Sequence, residues 1–329
     1  MKAIIPVAGR GTRLRPHTHS QPKVLMNVAG KAILAHILDE MPRAGVNEIT
    51  FVVGYLAEQI EEFVRERYSF LAHFVYQDEP LGNGHAVYLA REHLTGPTLI
   101  VFGDTIVDAD LGAAGRLPHS AIGVHRVDDP RAFGVVEVNG DGYVRHLWEK
   151  PQEPPNGLDR IPDLAVVGVY TVQEAAAFRA ALEEMVARGP VRGEYWLADA
   201  LQIFIDRGTA LQTFPVPHWY DCGTPEALLR ANHALLERVP RPPAIPRAVV
   251  IPPASIAESA VVEDSVIGPY VTIAEGARVV DAVLRESIVN AHARVERVVL
   301  EDSIIGEHAV VTGRQVRINI GDSSEIELT

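Results

Sequence analysis

With 329 residues, 47% of them hydrophobic, the chain is long enough to bury a sizeable core, and its length predicts about two domains. Its formal net charge of -13 argues against broad binding to nucleic acid or to an anionic membrane, whose phosphates would repel such a surface. No stretch approaches the ~20 apolar residues of a membrane helix, and the first apolar run, Ala3 to Ala8, is too short for a signal-peptide core, so a cytoplasmic protein is expected.

Lys2 to Ala8 reads as a strand and closes in Val7-Ala8-Gly9-Arg10-Gly11-Thr12-Arg13-Leu14-Arg15-Pro16, with Pro22-Lys23 soon after. Small residues there let backbone N–H groups face anionic oxygens, and the nearby cations neutralise charge, so the turn suits phosphate. An ordinary surface turn is the competing reading. A dinucleotide-binding loop would need a third Gly where Leu14 stands, and a Walker loop would end in Gly-Lys-Ser/Thr where the chain has Arg13-Leu14-Arg15. Neither fits.

A helix is predicted over Ile33 to Arg43, a strand over Glu48 to Val53, and a second helix over Leu56 to Tyr68. In that helix Leu56, Ile60, Phe63 and Val64 share one face, while Glu58, Glu61, Glu62 and Arg65 point elsewhere. Strands follow at Phe74 to Gln77 and Thr98 to Phe102. This βαβ alternation, running to about Glu237, predicts an α/β unit with a mostly parallel, Rossmann-like sheet. Functional loops then sit at the carboxyl ends of strands, where the Gly-rich turn, Gln77 and Gly103-Asp104 fall.

Further along, Trp148-Glu149-Lys150-Pro151 sets a carboxylate beside an ammonium, which on its own residues reads first as a surface ion pair. Asp221 lies in Trp219-Tyr220-Asp221-Cys222-Gly223-Thr224-Pro225. With Asp104 it forms a separated pair of carboxylates of the kind that holds Mg²⁺ together with phosphate oxygens and water, although each aspartate taken alone could equally serve a turn. Cys222 is the single cysteine, so it can form no internal disulfide and no thiolate cluster, and it reads as a small buried hydrophobe.

The segment Val239 to Pro246, rich in proline, and Pro252-Pro253 cannot continue a helix, which places a linker over residues 239–253 between a first domain, 1–238, and a last domain, 254–329. Beyond it an aliphatic position recurs at steps of five or six residues: Ile256, Val262, Ile267, Ile273, Val279, Leu284, Val289, Val295, Leu300, Ile305 and Val311. Stacked short strands that point these side chains at a common axis make a parallel β-helix, with Gly268, Gly276 and Gly306 at corner-like positions. His292 and His308 are its only histidines and read as solvated corner residues rather than general bases. A structural or subunit-contact role is expected for this half.

The stretch from Ile5 to Lys23, Gly-x-Gly-Thr-Arg-Leu-x-Pro-x-Thr followed by Pro-Lys, resembles the signature of the sugar nucleotidyltransferases, which join a sugar 1-phosphate to a nucleoside triphosphate. The resemblance spans nearly the whole chain and is greatest to long-form glucose-1-phosphate thymidylyltransferases. It implies a GT-A-like nucleotidyltransferase domain followed by a left-handed parallel β-helix, active in nucleotide-sugar synthesis. Arg13 and Lys23 would be the catalytic cations, and Ala8, Gly9, Gly11, Thr12, Gln77, Pro80, Gly82 and Asp104 would bind nucleotide. Gly134, Glu149, Lys150 and Glu194 would bind the sugar phosphate, and Asp104 and Asp221 would hold Mg²⁺.

The implied partners are dTTP or UTP and a hexose 1-phosphate, with no nucleic acid or membrane, in a homo-oligomer contacting through the β-helix. In Gly193-Glu194-Tyr195-Trp196-Leu197-Ala198-Asp199, Ala198 replaces the family's Thr, and Asn83-Gly84 departs from the thymidylyltransferase pattern. The sugar and the base therefore stay open, as do two other readings: a bifunctional enzyme with acyl transfer in the β-helix, and a non-catalytic regulatory subunit.

Overall fold

A computed structural model describes residues 1–155 and 157–313. The chain divides into two compact units, the first made of Met1–Met26 and Lys31–Leu228, the second of Asn27–Gly30 and the chain from Leu229 onward.

In the first unit the elements are β1 (Lys2–Pro6), α1 (Ile33–Leu38), β2 (Glu48–Val53), α2 (Ala57–Arg67), β3 (Leu71–Tyr76), α3 (Asn83–Leu89), β4 (Thr98–Val101), β5 (Thr105–Asp108) and β6 (Ser120–Arg126). They continue as β7 (Gly134–Val138), β8 (Val144–Glu149), β9 (Leu164–Val172), α4 (Ala175–Arg188), α5 (Leu197–Asp206), β10 (Leu211–Pro215) and β11 (His218–Asp221). α6 (Pro225–Leu236) then carries the chain into the second unit. The main sheet has the order β8-β7-β9-β4-β1-β2-β3, with β6 joined to β9 and β10 to β6. Strands β1 to β4 run parallel to their neighbours among themselves, and β9 is antiparallel to β4.

From β1 the chain winds to β2 and β3 on one side and returns to β4 on the other. The winding reverses between β1 and β4, and ligands of open α/β sheets bind outside the carboxyl ends at such a reversal. The Gly-rich turn leaves β1 there, and Gly103-Asp104 leaves β4 beside it.

Strand alternation sorts the core into two layers. Ala3, Ile5, Ile49, Phe51, Leu99 and Val101 pack with α1 and α2, whereas Ile4, Val52 and Ile100 pack with α3, α4 and α5. The helix predicted to reach Arg43 ends at Leu38, after which Glu40 and Met41 bond back three residues to Ile37 and Leu38. Pro42 accounts for the early end, because it has no N–H to give and disfavours helical backbone in the residue before it. Glu61, expected to point away from the apolar face of α2, is buried instead. Its carboxylate accepts from the Tyr76 hydroxyl and pairs with Arg65 at 2.7 Å, which satisfies the charge.

The second unit holds three four-stranded parallel sheets, each taking one strand from every coil of the chain. This is the arrangement of a left-handed parallel β-helix. Val262, Ile267, Ile273, Val279, Leu284, Val289, Val295 and Ile305 are buried along its axis, with Ile256, Leu300 and Val311 packed against them. Gly268 and Gly276 take positive φ at corners, and a Cβ on Gly268 would lie 1.9 Å from the Ile251 carbonyl oxygen. The Gly306 carbonyl accepts from Ala309 in a turn. His292 and His308 are exposed, with ring centroids 5.0 Å apart, as suits corner residues. Asn232 of α6 ties that helix to the coil, its side chain accepting from the Thr272 hydroxyl at 2.6 Å and donating to the Tyr270 carbonyl at 3.2 Å. No helix among the described residues is long and apolar enough to cross a membrane.

Candidate active site

The turn after β1 folds back on the segment that carries Lys23. Gly11 has φ 59°, and a Cβ there would come 2.9 Å from Lys23 Cβ and 3.0 Å from Thr18 Cγ2, so only glycine permits the approach. The Thr18 hydroxyl donates to the Gly11 carbonyl at 2.8 Å and holds the fold-back closed. Beside Gly9, by contrast, nothing lies within 4 Å of where a Cβ would stand. That open space next to backbone N–H groups is where an anionic ligand can approach. Thr12 is exposed and opens a short turn, Thr12–Leu14.

Lys23 is buried, yet its ammonium donates to Asp104 Oδ2 at 2.6 Å. Asp104 and Asp221 come together because β5 and β11 pair antiparallel, with Thr105 opposite Asp221 and the Cys222 N–H donating to the Asp104 carbonyl at 3.2 Å. Arg13 reaches the same spot: a Cβ on Gly223 would stand 3.0 Å from both Asp221 oxygens and 3.1 Å from Arg13 Nη2.

Burial opposes ionisation of Asp104, but the Lys23 charge and hydrogen bond outweigh it and hold the carboxyl below the usual range. Asp221 moves the other way, raised first by burial and then by repulsion from Asp104. The Cys222 thiol, fully buried, is pushed far up by that burial and is no nucleophile.

Two hollows meet at this cluster, sharing Asn83 and Phe102 in their walls. The first is lined by Ala8, Gly9, Lys23, Gln77, Pro80, Gly82, Asp104 and Glu194. Gln77 is buried and its amide nitrogen contacts both the Gly82 carbonyl and His85 Nδ1 at 3.1 Å. Both amide hydrogens are thereby engaged, leaving Oε1 to present an acceptor. Gly82, at φ 100°, packs so tightly on Tyr195 that a Cβ would fall 2.5 Å from its carbonyl oxygen. Asn83 Oδ1 accepts from the Leu197 N–H at 2.8 Å, which locks this loop to the 194–197 segment.

The second hollow gathers Arg13, Gly134, Glu149, Lys150, Trp196 and Asp221. Lys150 Nζ lies 3.5 Å from Glu149 Oε1 and 5.5 Å from the centre of the Trp196 ring. Burial raises Glu149 above the ordinary glutamate value, with Lys150 pulling the other way. A Cβ on Gly134 would stand 3.1 Å from Glu149 Oε2. Phe133 and Trp219 meet edge to face at 4.7 Å to form one wall.

Most of the residues singled out in the sequence thus line one of two adjoining hollows. Glu194, expected beside the sugar, lines the hollow of Gln77 and Asp104, although its charge still bears on Glu149. Thr12 and Gly11 line neither hollow, Gly11 acting instead in the fold-back onto Lys23. His85 of α3, which engages the Gln77 amide, was not singled out as a site residue in the sequence. The only signal was its spacing one helical turn from the loop, Pro80-Leu81-Gly82.

Residues 2–238 match the family model described as nucleotidyl transferase, and the chain belongs to that family. Over its whole length it is 32% identical to the glucose-1-phosphate thymidylyltransferases of Streptomyces antibioticus and Streptomyces griseus, covering 99% and 100% of those proteins. Among solved structures it is similar to a UDP-glucose pyrophosphorylase complexed with UDP-glucose, at a TM-score of 0.63 and 22% identity, over 72% of this chain and 99% of that one. That likeness concerns the fold.

Proposed function

We propose that the chain transfers a nucleotidyl group from dTTP or UTP to a hexose 1-phosphate, glucose 1-phosphate first among them, giving a nucleotide sugar and pyrophosphate. The observation that carries this reading is the convergence of Arg13, Lys23, Asp104 and Asp221 where the two hollows meet. Two anionic esters must be brought together there, and like charges ~4 Å apart repel by about 4 kcal/mol at an effective dielectric of about 20. Fixed cations offset that repulsion and need no reorganisation when reaction occurs.

Gln77 orients the base. With its nitrogen engaged by the protein, Oε1 accepts from the N3–H of uracil or thymine, whereas cytosine and adenine present a ring acceptor there. Glu149 accepts from sugar hydroxyls and Lys150 holds the sugar phosphate against the Trp196 face. The phosphate oxygen of the sugar then attacks the α-phosphorus in line, pyrophosphate leaves against Arg13 and Lys23, and no covalent enzyme intermediate forms.

The hard oxygen donors of Asp104 and Asp221 suit Mg²⁺, which has little preference for nitrogen ligands. When bound, the ion would neutralise phosphate charge as a Lewis acid. The activity is assigned to residues 1–238, of which the family model matches 2–238, with 239–253 as a connecting segment and the β-helix from 254. A cytoplasmic location is proposed with it.

The β-helix is proposed as the contact between copies of this chain. Val249, Val266, Val283 and Val299 stand in register on one of its sheets, and Val249 and Val299 are 58% and 75% exposed. Such an uncharged column of like side chains is complementary to itself.

Pyrophosphate release over a matrix of nucleoside triphosphates and hexose 1-phosphates tests the assignment. The highest kcat/KM is expected for dTTP or UTP with glucose 1-phosphate, and release from no pair would refute it.

A further inference from the structure

At the amino-terminal end of the parallel sheet, away from the strand ends that carry the hollows, Glu48 of β2, His73 of β3 and His93 of the turn after α3 face one another. We propose that these three side chains form a second metal site, for a first-row transition dication such as Zn²⁺. One ligand atom from each lies within 4.8 Å of the other two, and this is the only such set of three among the described residues. None of the three is fully buried, so an ion has access to all of them.

The topology explains why they meet. Strands β2 and β3 pair in parallel with Glu48 opposite Leu71, so His73, two residues on, lies on the same face as Glu48. His73 Nε2 is already 3.3 Å from Glu48 Oε1. His93 comes from the turn Arg91–His93 and lies with its ring centroid 4.9 Å from that of His73. Ligands about 2.1 Å from a tetrahedral ion are about 3.4 Å apart, and the three atoms lie within 4.8 Å of one another, so small side-chain rotations close the set.

Donor chemistry separates this site from the one between Asp104 and Asp221. Two imidazoles and one carboxylate suit zinc, cobalt, nickel or copper, whereas an all-oxygen pair suits magnesium. With three protein ligands, a tetrahedral ion would keep one position for water or another small ligand. The ion would clamp β2, β3 and the segment following α3.

Lys2 sets the strength of the site. Its ammonium stands opposite Glu48 in the β1–β2 register and 3.1 Å from Glu48 Oε1, where it competes with a cation for the same oxygen. Replacing it by an uncharged side chain of similar length removes the competitor and leaves the ligands in place.

The test is calorimetric titration of Zn²⁺ into the full chain with Mg²⁺ in large excess, so that the oxygen-only site is filled. Wild type is expected to bind one equivalent that His93→Gln weakens at least about tenfold, since even outer partners of metal ligands are worth that much. Lys2→Met is expected to bind more tightly than wild type. Circular dichroism checks that each variant is folded, and should His93→Gln fail to fold, the Lys2→Met comparison stands alone. No zinc binding by wild type, or the wild-type affinity in either folded variant, would overturn the site and leave only an ion-pair cluster.

Discussion

Lys23 donates from Nζ to Asp104 Oδ2 at 2.6 Å across a separation of 81 residues. An ion held by Asp104 would share that carboxylate with the Lys23 ammonium, which contacts Oδ2. Lys23→Met should lower kcat by about 10²-fold to 10³-fold, the loss typical of one preorganised charge-stabilising donor. The same variant should bind Mg²⁺ more tightly in the absence of nucleotide, because the competing cation is gone. Turnover measured beside Mg²⁺ titration checks both, and a loss of turnover with unchanged metal affinity would count against competition for Asp104.

Gly223 stands where Asp221 and Arg13 converge. A methyl group there would press on both Asp221 oxygens at 3.0 Å and on Arg13 Nη2 at 3.1 Å, all of them atoms at side-chain ends that can swing away. Gly223→Ala should therefore fold normally, with a thermal midpoint near that of wild type, while the Mg²⁺ concentration for half-maximal rate rises several-fold. Normal metal dependence in this variant would move the metal elsewhere.

His85 holds the Gln77 amide at 3.1 Å through Nδ1, and burial keeps its imidazole below the ordinary value of 6.5, hence neutral and able to accept at neutral pH. His85→Leu should free the amide to turn over and offer N–H where Oε1 had been. Discrimination of dTTP and UTP against CTP, read as a ratio of kcat/KM, should fall about tenfold, the value of roughly one hydrogen bond. An unchanged ratio would assign the base to other groups.

Glu149 gives a pH signature. Burial raises its carboxyl above the ordinary glutamate value of 4.5, and only the ionised form accepts from two sugar hydroxyls. Affinity for the sugar phosphate should thus be lost on acidification at a pH above 4.5, as the raised carboxyl takes up its proton. KM for glucose 1-phosphate should climb with that protonation in wild type. In Glu149→Gln it should start high and no longer respond to Glu149 ionisation, which a KM series against pH with both proteins would reveal.

The aliphatic column of the β-helix was readable residue by residue, because a repeat of five or six residues leaves few other ways to bury Ile267, Val279 and Val295 together. The Gly-rich turn and the strands β1, β2 and β4 were readable for the same local reason. Convergence was not. Asp104 and Asp221 meet through the pairing of β5 with β11, a contact between distant segments that no local pattern encodes. The resemblance picked out Gln77 as an expected nucleotide ligand, but the two partners that fix its amide, His85 and the Gly82 carbonyl, depend on how α3 leaves the loop. Glu61 was misplaced because helical periodicity registers charge and not the Tyr76 hydroxyl and Arg65 that make a buried carboxylate tolerable.

The most direct measurement follows the α-phosphate itself. The full chain is incubated with Mg²⁺, glucose 1-phosphate and dTTP or UTP radiolabelled at the α-phosphate, and the products are separated. Label should pass into a nucleotide sugar in step with pyrophosphate release, and the Asp104→Asn, Asp221→Asn double variant should lose the transfer. Label that stays in the triphosphate with wild type, or transfer undiminished in the double variant, would contradict the role given to this site.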